Sequence, residues 1–239
     1  MIAADQPTIF KSAVNAAISS KDDGNMKFGV GSSAEVEQNR HRFLQKAGMD
    51  MSRTTLVSIT YDTDNFAKYR IVTEDEKAAG MTELSRAEHA DALVTDQPHH
   101  ALFLPIADCV GAILYDDEHK VLMVSHVGRH SAEIDGARRS VAFLKTHYGS
   151  NPAQLKVWLS PGVGKATYPL HRFGGKGLHE VIIDQLHASG VLQENIEQTH
   201  IDTATSKDYF SYSQHLKGND TPGRFAIVAE MRAQGEPAF

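Results

Sequence analysis

Cys109 and His126 are the residues whose types and spacing could do chemistry. A thiolate is a nucleophile and a soft metal ligand, while a neutral imidazole is a base and a common nitrogen ligand. Both lie in a stretch where two apolar runs, ALFLPIADCVGAILY at 101–115 and VLMVSHV at 121–127, flank the polar DDEHK at 116–120. That pattern predicts a β-hairpin buried on both faces. If the loop is Asp117 to Lys120, Asp116 pairs with Val121, so that His126 faces Gly111 and Cys109 faces Gly128. Cys109 and His126 then share a face as diagonal neighbours, with Cβ atoms roughly 7–8 Å apart. A metal or a substrate atom spans that gap, and a modest strand bend brings the two into contact. A loop with an odd residue count places them on opposite faces. Contact with a protonated His126 or with a metal is expected to lower the Cys109 pKa. Glycine inside a strand marks a bulge or a close approach by ligand, which Gly111 and Gly128 fit; a plain strand end fits equally well.

The positioning elements follow from periodicity. AEVEQNRHRFLQKA at 34–47 predicts an amphipathic helix, capped by Ser32 or Ser33 and stopped by Gly48. TTLVSIT at 54–60 and ADALVT at 90–95 predict strands, and 74–88 a loop or short helix. Residues 132–147 and 177–189 predict two more helices, and KVWLSPGVG at 156–164 a strand running into a turn. FSYSQ at 210–214 and RFAIVAEM at 224–231 predict closing strands. Strands and helices mix without a repeating βαβ rhythm, which predicts an α+β fold, a single domain over residues 1–239 with mixed β-sheets flanked by helices.

Composition narrows the function classes. The 239 residues are 41% apolar and carry a net charge of −6, enough for a core and unlike the basic surface that sequence-independent nucleic-acid binding needs. No apolar run of membrane-spanning length occurs, and the N-terminal stretch lacks the basic start and apolar block of a signal peptide. Cys109 is the single cysteine, so no internal disulfide forms. These features point to a cytoplasmic protein that binds neither nucleic acid nor membrane.

ADALVT, then ADC at 107–109 and HVG at 126–128, resemble the bacterial laccase-domain family, which shows an ADALVT-like strand, T-A-D-C and H-A-G-W-R-G in that order. SPGVGKATY at 160–168 is similar to its G-P-x-I-G-x-C-x-Y turn, and FSYSQHLKGNDTPGR at 210–224 to its F-F-S-Y-R-R…T-G-R ending. GVGSSAEVEQNRHRF resembles its glycine turn and N-R-containing helix, so the resemblance spans about residues 19–231.

The resemblance implies a cysteine-hydrolase-like laccase-domain fold and a purine nucleoside phosphorylase acting on adenosine or inosine with phosphate, with adenosine deamination as a companion activity. It implies a zinc site of Cys109, His126 and a His from an earlier Q-V-H-G strand. Here those four positions read Ser58, Ile59, Thr60 and Tyr61, so Thr60 stands where the third ligand is expected. Zinc is therefore expected to be weak or absent. Copper, implied by the family's polyphenol-oxidase label, is discounted because one Cys and one His make a poor multicopper site. Arg129 is the phosphate candidate, with His130 beside it, and Tyr168 and Tyr212 are candidates for lining the pocket. Asp108 is read as tying down backbone N–H groups in a turn. The remaining departures are Ala166 and Asp202 at family cysteines and Ser213-Gln214 at a double arginine. Two other readings stand beside the phosphorylase. One is a hydrolase editing a peptidoglycan precursor with Cys109 as nucleophile and His126 as base; the other is a degenerate member that binds a nucleotide-like ligand or a partner without turnover.

Overall fold

A computed structural model describes residues 1–233. In chain order the strands are β1 (Val14–Ile18), β2 (Thr54–Leu56), β3 (Tyr69–Ile71), β4 (Ala92–Thr95), β5 (Ala101–Ile106), β6 (Val110–Asp116), β7 (Val121–Val127), β8 (Lys156–Leu159), β9 (Ile196–Gln198) and β10 (Phe225–Met231). The helices are α1 (Ser33–Lys46), α2 (Arg129–Ala132), α3 (Gly136–Tyr148), α4 (Leu178–Ala188) and α5 (Tyr212–Leu216). One sheet runs β1-β10-β5-β2 and the other β3-β4-β7-β6-β8-β9. Both are mixed, with parallel pairs β2·β5, β3·β4 and β8·β9. The architecture is the expected α+β.

The strands' period of two sorts their side chains into layers. Along β10, Phe225, Ile227 and Ala229 face the second sheet, whose Ile113, Leu122, Val124 and Trp158 meet them in one buried core. The alternate residues Ala226 and Val228 pack with Phe43 and Leu44 of α1. The outer face of the second sheet, with Val94, Ala112, Leu114 and Met123, is covered by Val141 and Leu144 of α3 and Ile182 and Leu186 of α4. The molecule is thus layered helix, sheet, sheet, helix. Because both sheets are covered on both faces, β6 and β7 are buried at every residue.

The hairpin has the expected register, Asp116 pairing with Val121 and Gly111 with His126. The run 101–115 is not one strand, however. It breaks at Ala107–Cys109, so that β5 belongs to the first sheet and β6 to the second. An uninterrupted apolar run carries no mark of this switch except Asp108, which adopts a left-handed φ of 72°. Three further expectations need correction. Regular strand pairing of 54–60 stops at Leu56, beyond which only Ser58 bridges to His89. FSYSQ is not a strand: Ser211 accepts the N–H of Gln214 through its side chain and opens α5. The strand reading of HVGRH at 126–130 fails beyond Val127, because Arg129 and His130 begin α2.

Gly111 sits on the inter-sheet face, where an added Cβ would lie 3.2 Å from Ile106 Cδ1 and closer still to Ile227 Cδ1. Gly111→Ala should therefore destabilise the protein by about 1–3 kcal/mol through overpacking. Urea unfolding checks this; an unchanged midpoint would show that the sheets part without strain.

Candidate active site

Asp108 fixes the entry to β6. Its carboxylate accepts the Thr203 hydroxyl at 2.7 Å and the backbone N–H of Ser213 at 2.6 Å, and its carbonyl accepts the N–H of Val163 at 2.8 Å. The role read for it in the sequence, holding N–H groups in a turn, is the one it performs. Three loops from distant parts of the chain are drawn to the point from which Cys109 projects.

His126 continues the inward row of Leu122 and Val124, and Cys109 lies where the row Tyr115, Ile113 and Gly111 runs out. The two side chains converge on Gly128. A Cβ built there would stand 2.9 Å from Cys109 Sγ, 3.3 Å from His126 Cε1 and 3.5 Å from His126 Nε2. His126 is only 4% exposed, and its Nδ1 has no hydrogen-bond partner among the described residues. Burial lowers its pKa to about 4, so the ring is neutral at physiological pH. Burial also pushes the Cys109 thiol up to about 11, against smaller lowering effects of the Tyr61 hydrogen bond and the Arg224 charge. The direction runs against the expected lowering, which needs a protonated His126 or a metal: a neutral imidazole offers no charge to a thiolate, and desolvation dominates.

The sequence pointed to Thr60, but the group that reaches the pair is Tyr61. Its hydroxyl lies 3.9 Å from Cys109 Sγ, and its ring stands edge-on to His126 at 6.4 Å and to His130 at 6.5 Å. His130 in turn stacks on Phe66 at 4.6 Å. Thr60 turns away, its hydroxyl accepting the N–H of Asp62 at 3.1 Å. Tyr61 is carried by an irregular segment that buried Asp91 anchors by accepting the N–H of Lys68 at 2.8 Å. An unpatterned loop gives no periodicity from which the direction of Tyr61 could be read.

The other candidates are spread around this centre. Arg129 is exposed, 3.9 Å from Glu133 and 3.3 Å from His130. Tyr212 opens α5, and Arg224 lays its guanidinium 4.9 Å from the ring centre. Arg224 is the second residue that sequence reading missed, although it ends the T-G-R-like segment. Tyr168 is on an exposed turn, its N–H bonded to Gly164, and makes no described contact with Cys109, His126 or Tyr61. Asp202 accepts the N–H groups of Gly164 and Ala204 at 2.8 and 2.9 Å and so has a structural task. His100 is fully buried against Thr55, at 2.8 Å, and has no part in the site.

The family model described as "Multi-copper polyphenol oxidoreductase laccase" matches residues 13–173 and 175–232. The chain belongs to this family. Among similar proteins, a purine nucleoside phosphorylase of Clostridium acetobutylicum is 24% identical over 157 residues, 58% of this chain and 66% of that one. Another, of Corynebacterium glutamicum, is 26% identical over 133 residues, 56% of this chain and 50% of that one. The aligned regions thus span less than two thirds of these relatives' own lengths. Among solved structures, YfiH of Bacillus licheniformis superposes with a TM-score of 0.82 at 21% identity, covering 92% of this chain and 93% of that one. YlmD of Geobacillus stearothermophilus gives 0.81 at 20% identity and 98% coverage of both. At these identities the likeness establishes the fold.

The zinc that the laccase-family resemblance implies finds two donors here. His126, neutral with a free nitrogen, and Cys109 suit it, but no group of three His, Cys, Asp or Glu side chains that could hold a metal stands together among the described residues. A catalytic zinc takes three protein ligands, so this donor set does not fit one, and it fits a multicopper centre still less.

Two expectations follow. Iodoacetamide alkylation of the native protein should still be accelerating at pH 9 and level off near pH 11, whereas a plateau at the free-thiol value of about 8.5 would contradict the buried, protonated Cys109. Tyr61→His should raise zinc affinity by at least about tenfold, a third ligand being added, and Thr60→His should raise it less. Equilibrium dialysis with zinc checks the order of the two variants, and the reverse order would show that the loop rotates.

Proposed function

We propose that this protein cleaves purine nucleosides by phosphorolysis in the pocket where Cys109 and His126 converge under Tyr61. The observation that carries the reading is the meeting of these two side chains at Gly128 in a chain that belongs to the laccase family and resembles proteins named purine nucleoside phosphorylases. In the reaction an oxygen of phosphate bonds to C1′ of the ribose as the bond from C1′ to N9 breaks. The electron pair of that bond passes to the purine, the phosphate proton ends on the base, and the products are ribose 1-phosphate and free purine.

This residue set matches those demands. Charge builds on the purine as it leaves, and the thiol of Cys109, kept protonated by desolvation, and the phenol of exposed Tyr61, protonated at neutral pH as phenols are, are hydrogen-bond donors for it. His126, kept neutral, accepts a hydrogen bond from the nucleoside through the nitrogen facing Gly128. None of these steps needs a third metal ligand. The hydrolase reading fits less well. A nucleophilic thiolate needs a cationic or metal neighbour to form at pH 7, and here both partners of the pair are held neutral.

Purified protein with inosine or adenosine and phosphate should release hypoxanthine or adenine together with ribose 1-phosphate. Cys109→Ala and His126→Ala should each lower kcat/KM roughly 100-fold or more. Inosine appearing from adenosine would report the companion deamination. Turnover that survives both substitutions would place the chemistry elsewhere, and nucleoside binding without turnover would favour the non-catalytic reading.

A further inference from the structure

The chain is acidic, with 30 Asp and Glu against 24 Lys and Arg. Lys27 and Arg224 make no ion pair among the described residues, a state that many cations of the chain share; these two, however, are held next to each other. One side chain brings them together. The Asn25 amide oxygen accepts the backbone N–H of Lys27 at 3.1 Å and that of Arg224 at 2.9 Å. The N–H of Met26 donates to the carbonyl of Arg224 at 2.9 Å, closing a second link between the two segments. Asn25 also donates to the carbonyls of Lys27 and Val30, both at 2.8 Å.

The arrangement is rigid at its base. Asn39 of α1 donates to the Asn25 carbonyl at 3.1 Å, and buried Arg40 donates to the Met26 carbonyl at 2.9 Å while lying 4.3 Å from the centre of the Phe28 ring. Arg224 is half-buried and stacked on Tyr212, whereas Lys27 is exposed. The backbones of the two cations are held together, and partial desolvation and the neighbouring Arg224 charge both lower the Lys27 pKa. Tyr212, under the Arg224 guanidinium, precedes Ser213, whose N–H bonds the Asp108 carboxylate next to Cys109, and this places the cation beside the site.

We infer that Lys27 and Arg224, rather than Arg129, bind orthophosphate at the rim of the Cys109 pocket. The inference rests on the phosphorolytic reading for the fate of the anion, but binding itself does not require turnover. A phosphate dianion relieves the repulsion between the two cations, and the planar Arg224 fork suits its oxygens. Arg129 has Glu133 at 3.9 Å and His130 beside it, so its charge is already partly answered. From Arg224 a bound phosphate faces the pocket in which the ribose C1′ would lie.

Titration with inorganic phosphate, followed by calorimetry and 31P line broadening, tests binding without activity. Lys27→Met and Arg224→Gln should each weaken phosphate binding roughly tenfold or more, and Lys27→Arg should restore most of it. Thermal melts establish that each variant is folded. In the coupled assay the same variants should raise KM for phosphate and leave KM for inosine within about twofold. Wild-type phosphate affinity in both charge-removing variants, or its loss in Arg129→Gln alone, would overturn the assignment and leave the phosphorylase reading standing. Phosphate binding that depends on Lys27 and Arg224 in a protein that releases no purine would sustain the site and remove that reading. Inosine 5′-monophosphate is the second arm. If it binds through Lys27 and Arg224 while orthophosphate does not bind, the anion is a 5′-phosphoryl group and the orthophosphate assignment falls, as it also does if neither binds.

Discussion

The transfer of the chain from one sheet to the other at Asp108 is the constraint on which the site depends. A non-glycine residue in the left-handed region costs on the order of 1 kcal/mol and persists only where its surroundings hold it. Here the Thr203 hydroxyl and the Ser213 N–H hold the carboxylate, and the Val163 N–H holds the carbonyl. One residue thereby ends β5, starts β6, aims Cys109 away from the regular ladder and seats the start of α5. The same carboxylate seats Tyr212, over whose ring the Arg224 guanidinium lies.

The electrostatics divide the site into a neutral centre and a charged edge. At the centre, desolvation shifts the ionisable groups toward their uncharged forms: His126 downward, Cys109 upward, and nearby Asp91 upward. Positive charge stands at the edge, on Arg224 over Tyr212 and on Arg129 beside His130. Such a division suits a substrate with a neutral sugar and base and a charged second reactant, since the neutral parts can be desolvated without stranding a charge. The orphaned Nδ1 of His126 is the one unsatisfied polar atom at that centre. A buried donor or acceptor without a partner costs about 1–3 kcal/mol, and a native fold retains it where a ligand or water can satisfy it.

Much of this was legible in the sequence because it rests on parity and period. The shared side of Cys109 and His126 follows from the even loop between Asp116 and Val121, a count that needs no coordinates. Helix α1 announced itself by its apolar spacing and the glycine after it. The direction of Tyr61 was hidden because residues 57–68 follow no period and are held by a distant carboxylate, Asp91. FSYSQ alternates as a strand does, but a local side-chain cap at Ser211 overrides the alternation. The apolar run 101–115 concealed a change of sheet, since strands buried on both faces read alike whichever sheet they join. Arg224 was passed over for Arg129 because only the fold reveals that Asn25 ties it to Lys27.

The pairing of β1 with β10 sets the order in which the chain can assemble. Val14 finds its neighbour in Met231, and β10 in turn is the link between β1 and β5. During synthesis the first sheet therefore waits for β10, which follows every other described strand in the chain. The hairpin of β6 and β7, closed by a four-residue loop, is available far earlier. Local contacts form fast and distant ones slowly. The nascent protein thus carries the Cys109–His126 hairpin with its inter-sheet face bare, a sticky intermediate that chaperones or neighbouring chains would meet before the opposite sheet arrives to cover it.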